Sequence, residues 1–77
     1  MKYNNPELAG IGERIKNLRL DKKLSQAQLA KAAGLSQHAI MCWETEKRLP
    51  KARSLIILAK FFNVRANYIL GLDDKLR

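Results

Sequence analysis

A chain of 77 residues makes one domain, near the lower limit for folding without staples. Its single cysteine, Cys42, excludes an intramolecular disulfide, so stability must come from apolar packing. Fifteen Lys and Arg against seven Asp and Glu give a net charge of +8. That charge favours polyanionic partners, nucleic acid first, although a basic surface also serves solubility alone. The longest apolar run, Leu55 to Ala59, is too short to cross a bilayer, and MKYNNPELAG lacks a signal-peptide core. No membrane association is expected, and the reading is a reduced, cytoplasmic protein.

The charge excess is concentrated. Residues 14–65 carry twelve of the bases but only Asp21, Glu44 and Glu46 among the acids. Helical periodicity recurs along the chain, and no segment alternates as a half-buried strand does. Asn5-Pro6-Glu7 is a helix-opening pattern, but Gly10 and Gly12 weaken it, so a firm first helix is expected from Ile11. Ile11, Ile15 and Leu18 form its apolar stripe, with Arg14, Lys16, Lys22 and Lys23 on the polar face.

Next comes SQAQLAKAAGLSQHAIMCWE, residues 25–44, with two helix starts separated by one glycine. Ser25 with Gln28 reads as a capping box, Gly34 as a left-handed stop, and Ser36 as a second N-cap. Helices over Gln26–Ala33 and Gln37–Thr45 follow. Two helices joined so tightly must cross steeply, which is the helix-turn-helix shape. Leu29, Ala30, Ala33, Leu35, Ile40 and Trp43 are expected to fill its core. The basic connector EKRLPK follows, then an apolar helix over Lys51–Phe62 with Leu55, Ile56, Leu58, Ala59 and Phe62 facing inward. Asn63 suits its C-terminus. A short fifth helix over Ala66–Leu70 stops at Gly71. The expected organisation is an N-terminal segment 1–10, a five-helix all-α domain 11–72 and a polar tail 73–77.

With Ile40 and Trp43 inward, the other face of the third helix carries Gln37, His38, Met41, Cys42 and Thr45. A short, uncharged row near a helix start suits reading of the DNA major groove. Gln37 can donate to and accept from one adenine edge. His38 can reach a guanine acceptor or a phosphate, or stand idle in solvent. Met41 and Cys42 suit a thymine methyl, or are exposed filler and a half-buried thiol. Ser25, Gln26, Thr45, Lys47, Arg48, Lys51 and Arg53 are candidates for phosphate contacts around that row. His38 and Cys42, four apart, could share a metal, but no further Cys or His completes a site; no metal and no cofactor are expected.

The segments IGERIKNLR, LSQAQLAKAAGLSQHAI, WE and SLIILAKFFNVRANYILG carry a resemblance. In order and spacing, Ile11 to Leu72 resembles the helix-turn-helix domain of phage repressors and Cro proteins, the xenobiotic-response-element family. The resemblance implies a lambda-repressor-like five-helix domain binding operator DNA, commonly as a two-fold dimer on a palindrome. It gives Gln26 a phosphate-touching and supporting role, and makes Gln37, His38, Met41 and Cys42 the reading positions. It implies that Arg19 and Glu44 form a buried pair, in keeping with a late-helix Glu that runs against the helix dipole and needs a partner. The family often has glycine where Glu46 stands, so a longer exit from the reading helix is expected here. It also often has a polar or basic residue where Cys42 stands.

The leading expectation is a sequence-specific transcriptional regulator acting as a repressor. The alternative is an antitoxin-type interaction module that neutralises a partner protein and regulates its own operon; the short tail after Gly71 argues against a long toxin-wrapping segment. An enzyme is excluded by one histidine, one cysteine and no convergent carboxylates, and no small-molecule substrate is expected. Tyr68, Ile69, Leu70 and Leu72 exceed what a short helix needs for anchoring, which points to a homodimer through this region.

Overall fold

The computed structural model describes residues 10–72. The helices are α1 (Ile11–Asp21), α2 (Gln26–Ala33), α3 (Gln37–Glu44), α4 (Ala52–Phe62) and α5 (Ala66–Leu70). No strand occurs among the described residues, so the all-α, five-helix expectation holds. The Asn5-Pro6-Glu7 opening and the tail 73–77 lie outside the described residues.

Local chemistry sets most boundaries. Gln28 N–H donates to Ser25 Oγ at 3.0 Å while Ser25 N–H donates to Gln28 Oε1 at 2.8 Å, so both arms of the capping box are made. Gly34, at φ 70°, closes α2, and Ala39 N–H donates to Ser36 Oγ at 3.2 Å to open α3. Asn63, at φ 55°, ends α4, and Gly71, at φ 81°, ends α5. Lys51 is the N-cap of α4 and not its first turn.

The longer exit from α3 does not form. The helix stops at Glu44, Thr45 caps it, and Glu46 turns the chain at φ 61°. This left-handed conformation costs a non-glycine residue about 1–2 kcal/mol. Its side chain is engaged elsewhere. Helix α1 has no cap from its own neighbourhood; Gly10 N–H and Gly12 N–H donate to Glu46 Oε2 at 3.0 and 3.1 Å.

Ile11, Ile15, Leu29, Ile40, Leu58 and Ile69 are fully buried, with Leu18, Ala30, Trp43 and Phe62 completing the core. Each large side chain contributes about 1.5–3 kcal/mol by leaving water. Ile56 departs from its expected inward position and is 52% exposed. The run Leu55 to Ala59 is apolar around more of the helix than one buried face can cover, so one position must point outward. Arg14, expected on the polar face, is half-buried, and its Nε donates to Ile69 O at 2.9 Å. It thereby ties α1 to the end of α5.

Close approach of α1 to α3 requires a glycine. A Cβ on Gly12 would lie 2.5 Å from Trp43 O and 2.6 Å from Glu44 O, whereas one on Gly34 would meet nothing within 4 Å. Gly12→Ala is therefore expected to cost about 3 kcal/mol, lowering Tm by roughly 15 °C. Gly34→Ala should cost only its backbone strain, about 1 kcal/mol or some 5 °C. Thermal melts of the two variants check this; equal losses would show that α1 does not bear on the end of α3 as described.

Candidate nucleic-acid interface

Helices α2 and α3 pack through Leu29, Ala30 and Ile40, with Ala33, Leu35 and Ala39 at the margin of the same core. Small residues at the contact allow the backbones to approach, and Gly34 makes the short turn between them. With Ile40 and Trp43 inward, Gln37 and His38 are exposed and Met41 is half-buried. Gln26, from the start of α2, joins these three around one shallow depression. Four residues that the sequence assigned to DNA contact thus share one surface.

Cys42 does not belong to that exposed row. It is 4% exposed, and the connector after α3 folds over it, with Lys47 N–H donating to Cys42 O at 2.9 Å. Its Sγ lies 3.6 Å from His38 Nε2 and 3.8 Å from Arg48 Nη2. It faces a separate cavity of about 200 Å³ lined also by Ala39, Trp43, Leu49 and Lys51. A helical wheel puts position 42 opposite the core, but takes no account of the connector that returns across it. The thiol therefore holds a reading-face imidazole and a connector guanidinium near each other.

The candidate phosphate donors divide into two groups. Lys47, Arg48, Lys51 and Arg53 are exposed, on the connector and the first turn of α4. Ser25, Gln26 and Thr45 are engaged internally. Ser25 Oγ serves the capping box, and Thr45 Oγ1 donates to Met41 O at 2.8 Å to close α3. Gln26 Nε2 donates to Glu44 Oε1 at 3.0 Å, which steers its side chain along the edge of the depression.

Beneath this surface lies an ion pair. Arg19 Nε donates to Glu44 Oε2 at 2.7 Å and Nη2 donates to Oε1 at 2.9 Å, a bidentate fork. Arg19 Nη1 also donates to Leu24 O at 2.7 Å. Both side chains are almost fully buried, at 9% and 4% exposure. The hydrogen bonds to Glu44 raise the Arg19 pKa above the usual arginine value; burial opposes this and the Glu44 charge adds to it. A raised pKa in the folded state means that protonation of Arg19 contributes stability that is complete below the unfolded arginine pKa and lost as pH rises through the folded value.

Two contributors were not evident from sequence, Glu46 and Arg14. Each has a partner more than thirty residues away, and no local pattern marks such a contact. The one available signal for Glu46 was that it stands where the resembled family often has glycine.

Loss of one partner should leave the other charge buried. Arg19→Ala and Glu44→Ala are each expected to cost about 3–5 kcal/mol. In the double variant the losses should be far from additive. Urea unfolding of the four proteins measures this; additive losses would mean the contact contributes no coupling.

Comparison with known proteins matches this geometry. A family model described as a helix-turn-helix domain matches residues 12–75. Repressor protein C2 of Salmonella phage P22 is 37% identical over 63 residues, covering 82% of this chain and 29% of that protein. The Bacillus subtilis (strain 168) protein YobD, described as an uncharacterized HTH-type transcriptional regulator, is 37% identical over 62 residues, covering 80% of this chain and 55% of that protein. The chain thus spans little more than half the length of one relative and less than a third of the other. Among solved structures, the P22 c2 repressor in complex with a synthetic operator superposes with a TM-score of 0.76 at 36% identity, covering 82% of this chain and 96% of that one. The biofilm regulator SinR in complex with DNA gives 0.73 at 28% identity, covering 78% and 97%. The chain belongs to the helix-turn-helix domain family, in the lambda-repressor-like group of DNA-binding transcriptional regulators.

Proposed function

We propose that this protein is a sequence-specific, double-stranded DNA-binding repressor that reads the major groove with α3. The observation that carries the proposal is that exposed Gln37 and His38 and half-buried Met41 line one depression with Gln26, flanked by Lys47, Arg48, Lys51 and Arg53. The side-chain amide of Gln37 suits adenine, His38 suits a guanine acceptor or a phosphate, and Met41 suits a thymine methyl. The exposed bases hold the adjoining backbone, and Cys42 supports His38 from below. Cytoplasmic location follows from action on chromosomal or phage DNA.

A repressor is favoured because the P22 relative is named a repressor and its c2 structure holds a synthetic operator. A homodimer on a palindromic operator would place the two copies of α3 about 34 Å apart, one turn of DNA. Ile69, at 0% exposure, belongs to the protein's own core and is not available to that interface. Tyr68 and Leu70, half-buried, and Leu72, 65% exposed, remain to form it.

Selection from a random duplex pool, followed by mobility shift on the winning sequence, tests the proposal. Enrichment of a palindrome is expected. Gln37→Ala should weaken binding to it by about 1–3 kcal/mol and relax preference at one base position. Lys47→Ala should weaken binding to all sequences and make the log–log salt slope shallower by about 0.9. Equal retention of every sequence at physiological salt would overturn the proposal.

A further inference from the structure

We infer that Glu46 is a positioning residue for DNA binding: its carboxylate fastens the basic connector after α3 to the N-terminus of α1. This inference rests on the reading of that connector as a phosphate clamp.

Nothing about the turn itself calls for glutamate. At φ 61°, glycine would fit with less strain, and the residue lies at the end of α3, where the negative pole of the helix disfavours another acid. What the carboxylate gains is on α1. Gly10, at φ 88°, and the turn that follows bring the Gly10 and Gly12 N–H groups onto one oxygen, Glu46 Oε2. Such converging amides at a helix start form an anion-binding concavity, here filled by the protein's own side chain. The Glu46 side chain also lies against Gly12, where a Cβ would approach its Cγ to 2.8 Å. The contact is therefore seated in the fold, not draped over it.

Its effect on the connector follows from the neighbouring anchors. On one side is the Glu46 tether; on the other, Leu49 packs half-buried against the core. Between them are only Lys47 and Arg48, both exposed. Their backbone N–H groups both converge on Cys42 O, at 2.9 and 3.4 Å. With both ends fixed, these two cations are presented beside α3 in one arrangement. Without the tether, they remain present but lose their fixed origin.

Glu46→Gly and Glu46→Gln separate the tether from the charge. Both remove the same negative charge; glutamine keeps an acceptor oxygen for the two amides, whereas glycine keeps only the turn. The test measures Lys47 amide hydrogen exchange in the free proteins, then duplex affinity and its salt dependence. Glu46→Gln should exchange like the parent and bind duplex at least as tightly. Glu46→Gly should exchange about tenfold faster at Lys47 while its core amides stay protected. It should also bind roughly 3- to 10-fold more weakly than Glu46→Gln, with a salt slope shallower by about 0.9. Equal exchange in the two variants, or equal affinity and slope, overturns the inference. If the parent protein binds no duplex, the proposed function fails, while the exchange comparison still decides whether Glu46 fastens the connector.

Discussion

The carboxylate of Glu44 is the point on which the arrangement depends. Arg19 from α1 grips both of its oxygens, Gln26 from α2 donates to one of them, and the glutamate itself stands at the end of α3. The same guanidinium holds Leu24 O in the turn between α1 and α2. One buried charge pair therefore fixes three helices and a turn relative to each other. In a domain this small the apolar core alone leaves a thin margin. A directional contact adds what a set of aliphatic side chains lacks, a unique angle for the reading helix.

The exposed surface inherits its order from that pair. Gln26 is steered by Glu44 and in turn borders Gln37, so a residue of α2 and the first residue of α3 meet at one depression. The other end of α3 is set by a second contact with α1. Gly12 allows the carbonyls of Trp43 and Glu44 to come close, and Glu46 closes over it. Helix α1 contributes no residue to the depression lined by Gln37, His38 and Met41, yet it bears on both where α3 lies and how its following connector leaves. Arg14 extends this role to the other side of the domain, joining α1 to the last turn of α5.

What could be read from the sequence was what is decided locally. Ser25, Gln28, Gly34 and Ser36 fix helix ends through partners within four or five residues, and the apolar period sorted Ile40 and Trp43 from Gln37 and His38. The rest depends on how the helices and connector pack together. Cys42 looked outward until the connector was seen to cross it. Ile56 looked inward because an apolar run does not state which of its residues is left over. Glu46 suggested a longer helix, because its partners at Gly10 and Gly12 come from the beginning of the domain. Family resemblance supplied the Arg19–Glu44 pair, for which spacing alone gave only a motive.

The claim that matters most is that α3, held in place by this framework, is the element that meets DNA. Its most direct test is a nuclear magnetic resonance titration of labelled protein with a selected operator duplex. The largest changes are expected at the Gln37 side-chain amide, the His38 ring, the Met41 methyl and the Lys47 and Arg48 amides, with α4 beyond its first turn little affected. Changes centred on the exposed face of α4 around Ile56, with Gln37, His38 and Met41 silent, would contradict it.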